Sequence, residues 1–556
     1  MNITQILLDK RLLASEQLDE AIALQKAEGL RLDHALIRLG FLTERQWLEV
    51  MSEQLHLPMA ELADLTIDPQ TLRALPAKIV YRKRLVPISR ENGTLKVATS
   101  DAFDLYAIDD IRLLTGLNIQ PVLAPREDIE KLIKTHYGLG GDTLDEMVGA
   151  DQVEVGEAGG EISDDLLEMA QEASVIKLVN EIILEAVNER ASDIHIEPYE
   201  HTLSIRYRID GVLQEASVPP QIHRFQAAII SRIKILSNMN IAERRVPQDG
   251  RIKFSVGARQ IDVRVSVIPM LFGEGIVMRL LDKANVLFTL QQLGMDDATF
   301  AQFESLITRP HGILLVTGPT GSGKTTTLYA ALNAIVEPGI KVLTVEDPVE
   351  YNLQGVNQIP VDQHVGMSFE RGLRAILRHD PDVVMIGEIR DLETARAAIQ
   401  ASLTGHLVFS TLHTNDAASA PMRLIDMGVE PYLVSSTLIG SMAQRLVRKI
   451  CPKCKVRYRP EAASLPRDSR LDTENVLQHG EGCAYCRQTG FRGRMGLFEL
   501  MVMTAEISQK VMDRAPSPEI VAVARASGFC LLREDGWNKV RQGLTTPEEV
   551  ITCTAI

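Results

Sequence analysis

One stretch constrains this chain more than any other: Gly312-Ile-Leu-Leu-Val-Thr-Gly-Pro-Thr-Gly-Ser-Gly-Lys-Thr-Thr326. Its apolar opening predicts a buried strand over 313–317, its glycines a loop over 318–323, and the sequence beyond them a helix over 324–336. That setting is what makes the phosphate-loop pattern G-x-x-x-x-G-K-[ST] specific, because the pattern alone is short enough to arise by chance in a glycine-rich surface turn. Here Gly318, Pro319, Thr320, Gly321, Ser322 and Gly323 turn backbone N–H groups onto phosphate oxygens, and the helix N-terminus adds partial positive charge at the same point. Lys324 then reaches the terminal phosphates, and Thr325, followed by Thr326, offers its hydroxyl to Mg²⁺.

Three more apolar runs follow, and each ends in chemistry: Lys341-Val-Leu-Thr-Val-Glu-Asp-Pro-Val-Glu350, Asp382-Val-Val-Met-Ile-Gly-Glu388 and His406-Leu-Val-Phe-Ser-Thr-Leu-His413. Continuous apolar runs predict a parallel sheet covered on both faces. In such sheets ligands sit at the carboxyl ends of strands, where Glu346, Asp347, Glu350, Glu388 and His413 fall. Phosphoryl transfer to water needs one group to orient or deprotonate the water and a carboxylate to hold Mg²⁺. Glu350 or Glu346 suits the first role and Glu388 the second. A single acid at a strand end is often plain surface, but several at consecutive strand ends beside a phosphate loop argue for a site. Arg374, Arg378 and Arg390 flank the second run; phosphate neutralisation is one use for them and exposure the default. His406 and His413 are ambiguous in the same way, since a histidine beside a strand is more often hydrogen-bonded structure than catalyst.

The rest of the chain divides into segments. Residues 3–25 and 32–54 form a weak internal repeat at a shift of 29, matching Leu7 with Leu36, Leu13 with Leu42, Gln17 with Gln46, Glu20 with Glu49 and Gln25 with Gln54. Two similar helical hairpins account for it, each a short apolar helix and a longer amphipathic one, with Thr43 and Gln46 at capping-box spacing in the second copy. Strand-like alternation over 80–123 makes the first domain, 1–137, mixed α and β, and without catalytic groups in the repeat it reads as a docking or regulatory domain. Glycine-rich, acidic sequence over 138–172 predicts a linker. Order resumes with a helix near 174–190, the run Ala191-Ser-Asp-Ile-His-Ile-Glu-Pro198 and a hairpin over 203–213 turning at Asp210-Gly211. In Ile261-Asp-Val-Arg-Val-Ser-Val-Ile268, alternation puts Ile261, Val263, Val265 and Val267 on one face and Arg264 on the other, and it turns Arg279 away from Ile276, Met278 and Leu280. For both arginines a solvated strand face is the ordinary fate.

Cys451-Pro-Lys-Cys454 and Cys483-Ala-Tyr-Cys486 make a Cys-x₂-Cys…Cys-x₂-Cys set with 28 residues between the pairs. Four thiolates in two such turns suit a tetrahedral, structural zinc ion, Zn²⁺. Of the six cysteines, Cys530 and Cys553 fall outside this set and are expected as ordinary buried thiols in helical surroundings. Thr546-Pro-Glu-Glu549 reads as a capping box that opens a final helix. A chain of 556 residues has room for about three or four domains. Its formal charge of -15 argues against a nonspecific nucleic-acid coat, whose affinity comes from Lys and Arg. No apolar run approaches the roughly 20 residues that span a bilayer, and the start lacks the layout of a signal peptide. A cytosolic location is expected, with membrane association only peripheral and through partners, and that location favours metal over disulfides for the cysteines.

Taken together, these motifs resemble the secretion and pilus-assembly ATPases of bacteria, and most closely the type II secretion assembly ATPases of the GspE/PulE family. The resemblance is dense over 173–556 and rests on Ser192-Asp-Ile-His-Ile-Glu-Pro198, Arg208-Ile-Asp-Gly211, Gly318–Thr325, the acidic box Glu346-Asp-Pro-Val-Glu350, the Walker B form Gly387-Glu-Ile-Arg-Asp391, the histidine box Thr404–His413 and the tetracysteine set. It implies an α/β fold: a RecA-like phosphate-loop core over 286–556, with a zinc module at 445–495 and a C-terminal helical region, preceded by a PAS-like α+β domain over 173–285. It also implies hydrolysis of ATP with Mg²⁺ by a homo-oligomer, a hexameric ring whose subunits open and close. The implied work is pseudopilus extension through inner-membrane platform proteins, reached by the N-terminal domain at the cytoplasmic face of the inner membrane.

By the same resemblance, Arg264 and Arg279 swing onto bound phosphates from the domain before the phosphate loop, with Arg374, Arg378 and Arg390 supporting the site or an interface. Type IV pilus assembly ATPases share almost every motif and are the nearest alternative. A retraction ATPase would resemble the chain without its long N-terminal domain and tetracysteine set. A DNA-translocating motor would need a basic strand-tracking surface, of which the acidic balance gives no hint. Relatives of the N-terminal repeat that bind cyclic di-GMP open their copies with Arg-Leu-Gly. This chain has Asn2-Ile-Thr4 and Arg31-Leu-Asp33 instead, a departure that counts against cyclic di-GMP as a ligand.

Overall fold

The computed structural model describes residues 3–137 and 173–555, apart from 29–30, 63–64, 257–258, 283–288, 461–465, 472–474 and some single positions; the linker expected at 138–172 lies outside the described residues. The chain forms two compact units, one of residues 1–209, 213–252 and 263–280, the other of 281–556 with 210–212 and 253–262.

In the first unit the repeat is a structural one. Helices Ile3–Asp9 and Ser15–Glu28 make one hairpin, and Leu32–Arg38 and Glu44–Leu55 make the other, so both helix starts recur at the shift of 29. Matched positions do the same work: Leu7 and Leu36, Leu13 and Leu42, Leu18 and Trp47, and Ala21 and Val50 are all buried in one core. The capping box forms as expected, with the Thr43 side chain accepting from the Gln46 N–H and Gln46 returning the bond to the Thr43 N–H. In the first copy Gln17 still accepts from the Ala14 N–H at 2.9 Å, but alanine has no oxygen with which to cap the helix. Beyond the repeat, strand Thr94–Thr99 pairs antiparallel with Leu85–Glu91 and parallel with Asn118–Leu123. Helices Ala77–Lys83, Leu105–Thr115 and Arg126–Tyr137 complete this mixed layer over a core of Val86, Leu95, Val97, Ile111 and Ile129.

The same unit carries most of a six-stranded sheet in the order 212–215, 203–209, 193–198, 273–282, 259–270, 248–256, with helices Ala173–Asn188 and Gln226–Leu236 beside it. Asp210 and Gly211 both have positive φ, 49° and 91°, as a two-residue turn matched to the twist of its strands requires. Ile261, Val263, Val265 and Val267 are buried while Arg264 between them is only partly so, and Ile276 and Met278 are buried while Arg279 is exposed.

The second unit is built on a seven-stranded sheet in the order 356–360, 342–346, 383–386, 407–412, 312–317, 438–450, 491–502. The first six strands run parallel and the last pair is antiparallel. The four strands read from their apolar runs are buried along their whole length. Both faces are covered, as such runs demand: Ile313 and Leu315 pack with Leu373, Ile376, Ala395 and Ile399, while Leu314 and Val316 pack with Phe303, Leu306, Leu328 and Leu332.

Two expectations fail near the C-terminus. Helix Pro547–Thr554 starts with proline as read, but Thr546 makes no capping bond and its hydroxyl is buried without a hydrogen bond. The reciprocal half of the box is lost to a long-range partner: Glu549 is taken by Arg448, whose Nη2 and backbone N–H donate to its carboxylate at 2.6 and 3.0 Å. Cys530 and Cys553 are half-buried, and Cys530 precedes helix Leu532–Arg541 instead of lying within a helix.

Candidate active site

At the carboxyl end of strand Gly312–Thr317 the chain turns sharply before helix Lys324–Ile335. Gly318 has φ 146° and Gly323 φ 90°. A Cβ on Gly318 would stand 2.6 Å from the Gln444 carbonyl oxygen, and one on Gly323 would stand 2.8 Å from Gln444 Nε2. These glycines therefore serve close backbone approach as well as conformation, which explains the loop's composition from its neighbour. A Cβ on Gly321 would meet nothing within 4 Å, so the outer side of the loop is open to a ligand.

Lys324 Nζ donates to the carbonyls of Gly318 and Pro319 at 2.8 and 3.1 Å. Burial holds its ammonium below the usual lysine range, with the Glu388 carboxylate pulling it back up and the Arg445 guanidinium adding to the depression. Thr325 is exposed at the helix start, and Thr326 beside it is half-buried. Glu388 follows strand Val383–Ile386 and is largely buried; it pairs with Arg390 on one oxygen and stands 3.4 Å from His413 Nε2 on the other. The structure thus brings Lys324, Glu388, Arg390 and His413 together. His406 is elsewhere: its Nδ1 bonds the Ala401 carbonyl at 2.8 Å, a structural contact. Arg374 pairs with Glu370 at 2.7 Å on an exposed helix face, and Arg378 donates to the Arg374 carbonyl at 2.9 Å.

The two acids that spacing leaves equivalent have different surroundings. Glu346 is 3% exposed, and both its oxygens are engaged: Tyr329 donates to one, Thr344 and Gln358 to the other at 2.5 and 3.0 Å. Glu350 lies beyond the strand end and is half-buried. Burial and then the Glu346 charge raise the Tyr329 hydroxyl, which fixes it as the donor of their bond.

Arg264 and Arg279 belong to the first unit. Both occupy the polar face of the six-stranded sheet, and Arg279 Nε donates to Asp193 Oδ1 at 3.0 Å.

Gln444 and Arg445 are the site residues that sequence reading misses. Strand Leu438–Ile450 pairs in parallel with 312–317, Ala443 opposite Thr317, so the next two residues reach the loop. Gln444 Oε1 accepts from the Thr327 hydroxyl at 2.8 Å, and Arg445 donates to the carbonyls of Gln444 and Asn415, each at 3.1 Å. The signal available was weak: a polar pair breaking the run Gly440-Ser-Met-Ala-Gln-Arg-Leu-Val447.

The four motif cysteines form one cluster, with sulfur separations of 3.9 Å for Cys451 and Cys483, and 3.7 Å for both Cys454–Cys486 and Cys483–Cys486. A tetrahedral ion with metal–sulfur bonds of about 2.3 Å places its sulfurs about 3.8 Å apart, so the donor set fits zinc.

A family model described as Type II/IV secretion system protein matches residues 168–552, and one described as MshEN domain matches 55–143. The chain is 45% identical over 565 residues to the type II secretion system protein E of Xanthomonas campestris, covering 99% of this chain and 98% of that one. It is 41% identical over 558 residues to the type IV pilus assembly ATPase PilB of Myxococcus xanthus, with the same 99% and 98% coverage. In fold it is similar to the Legionella pneumophila ATPase DotB, with a TM-score of 0.50 and 21% identity over 71% of this chain and 97% of that one.

Proposed function

The chain belongs to the Type II/IV secretion system protein family and is an ATP-hydrolysing enzyme, and from that premise we propose that it powers type II protein secretion by driving pseudopilus assembly. The observation that carries the chemistry is the convergence of Lys324, Glu388 and Arg445 on a phosphate loop at the carboxyl edge of a parallel sheet.

The loop's N–H groups and Lys324 hold the β- and γ-phosphates of ATP, and Arg445 adds a second fixed cation beside the loop. Thr325 and Glu388 would hold Mg²⁺, which when bound neutralises charge on the phosphate oxygens. Glu350 serves as the group that orients and deprotonates the attacking water, because every oxygen of Glu346 is already committed to Tyr329, Thr344 and Gln358. Arg264 and Arg279 meet the phosphates from the first unit and stabilise the charge that spreads over the γ-phosphoryl group during transfer. Cys451, Cys454, Cys483 and Cys486 hold a structural Zn²⁺.

The working form is a homo-oligomeric ring, a hexamer, held at the cytoplasmic face of the inner membrane by platform proteins that contact the N-terminal domain. Among the described residues no helix is long and apolar enough to cross a membrane, which fits recruitment through partners.

Complementation tests the reading. A host lacking this chain should regain secretion with the wild type and not with Lys324→Ala. Restored surface pili with unchanged secretion would instead establish the type IV pilus assembly role, the second reading that the 41% identity to the Myxococcus xanthus pilus protein supports.

A further inference from the structure

Two sequence motifs have no task in the mechanism above: Ser192-Asp193, where strand Asp193–Pro198 begins, and Arg208, near the end of strand Leu203–Ile209. In the sheet they are neighbours. Strand Asp193–Pro198 lies between 203–209 and 273–282, and Asp193 sits opposite Arg208 in one register and opposite Arg279 in the other. Directly opposite residues on antiparallel strands share a face, so one carboxylate stands between two arginines.

The side chains use this placement. Asp193 Oδ1 accepts from Arg279 Nε at 3.0 Å, while Oδ2 accepts from the Ser192 hydroxyl at 2.8 Å and lies 3.9 Å from Arg208 Nε. The Asp193 side chain is 9% exposed and that of Arg279 is 56% exposed. The edge of contact matters as much as the distance. A bidentate grip would use two N–H groups of the guanidinium at once, whereas Asp193 takes Arg279 by Nε alone. Among the described residues the Nη1 and Nη2 groups of Arg279 make no hydrogen bond, so the end of the fork that suits phosphate faces outward.

On the reading that Arg279 meets bound phosphate, we infer that Asp193 is a positioning residue, which fixes the guanidinium plane of Arg279 so that both Nη groups are presented together. Ser192 and Arg208 hold the carboxylate in turn. An unclamped arginine loses its rotamer freedom when it grips a phosphate, and a clamped one has lost it beforehand, so the benefit falls on the chemical step.

Steady-state turnover of the full-length assembled protein, with kcat and KM measured separately, tests this. Arg279→Ala comes first: its kcat is expected to fall by about 10³-fold or more, and a rate near wild type removes the phosphate reading of Arg279 and this proposal with it. With Arg279→Ala slow, Asp193→Asn is expected to lower kcat roughly 10- to 100-fold while KM stays within about threefold. Added to Arg279→Ala, the same change is expected to alter kcat by less than about twofold, because the group it positions is gone. A wild-type kcat for Asp193→Asn overturns the positioning role and leaves the reading of Arg279 intact. So does a loss in the double variant as large as in the single one, which assigns Asp193 to fold stability. Asp193→Ser, which sets no amide donor against two guanidinium groups, carries the same comparison should the asparagine variant not assemble.

Discussion

The phosphate-loop edge and the cysteine cluster both lie in the second unit, and they are assembled in opposite ways. The first draws Lys324 from a helix start, Glu388 from the end of strand 383–386, His413 from the end of 407–412 and Arg445 from within 438–450. The second takes all four sulfurs from two short turns at 451–454 and 483–486. A site collected across a sheet depends on the register of every strand that feeds it, so each of its groups should act on turnover. A site closed within two turns depends on its ligands and little else. The two are nonetheless joined, since strand Leu438–Ile450 runs from Arg445 directly to Cys451.

The largest effect is expected at the loop. Lys324→Ala should lower kcat on the order of 10³-fold or more while the thermal unfolding midpoint stays put, because the cation acts on phosphates and not on the core. Turnover within about tenfold of wild type, in an assembled oligomer, breaks the assignment of this edge as the active site. Next come the two acids. Glu350→Gln should cost about 10²–10⁴-fold in kcat, the usual worth of a positioned base. Glu346→Gln should instead cost stability, about 1–3 kcal/mol, because an amide cannot accept from all three of its donors. Denaturant unfolding and turnover measured on both variants decide, and the reverse pattern moves the base to Glu346.

Arg445→Ala should raise KM for ATP or lower kcat by roughly 10- to 100-fold, the equivalent of the ~1.5–3 kcal/mol that a hydrogen bond to a charged group supplies. Wild-type kinetics would confine Arg445 to tethering Asn415. The smallest effect on the nucleotide is expected at the cysteines. Elemental analysis should find one zinc per chain, and Cys451→Ser should abolish it and raise proteolysis within 445–495, while ATP affinity changes by less than about twofold. A marked loss of affinity would show that the ion holds strand Leu438–Ile450 in register, and the contrast between a distributed and a self-contained site would fall.

Much of this molecule was legible because the relevant physics is short-ranged. The loop over 318–323, the turn at Asp210-Gly211, the facing of Arg264 and Arg279, and the doubled hairpins over 3–55 each follow from φ preferences or from a period of two or 3.6 residues. The cysteine cluster follows from spacing in the same way. Strands Leu438–Ile450 and Phe491–Val502 have charged and polar residues among their apolar ones, and pairing with segments far along the chain, 312–317 and each other, holds them in the sheet, while Val356–Pro360 adds to its near neighbour 342–346.

The chain's own order of residues determined that a glycine-rich turn between strand and helix, a parallel sheet and a cluster of four thiols would form. Only the tertiary structure decided which side chains serve them. Glu346 and Glu350 are alike in spacing, yet Tyr329 on the loop's helix and Gln358 on the edge strand commit one of them to hydrogen bonds. Glu549 sits at capping-box spacing, but Arg448 claims it. Neighbours in sequence do not show what Arg445 or Asp193 will meet, and strand pairing sets one beside Gly318 and the other between Arg208 and Arg279. The physical reason is common to all four cases. A side chain's partners are set by strand register and by the burial of whole layers, quantities summed over the chain, whereas a residue's neighbours in sequence set only its backbone and its face.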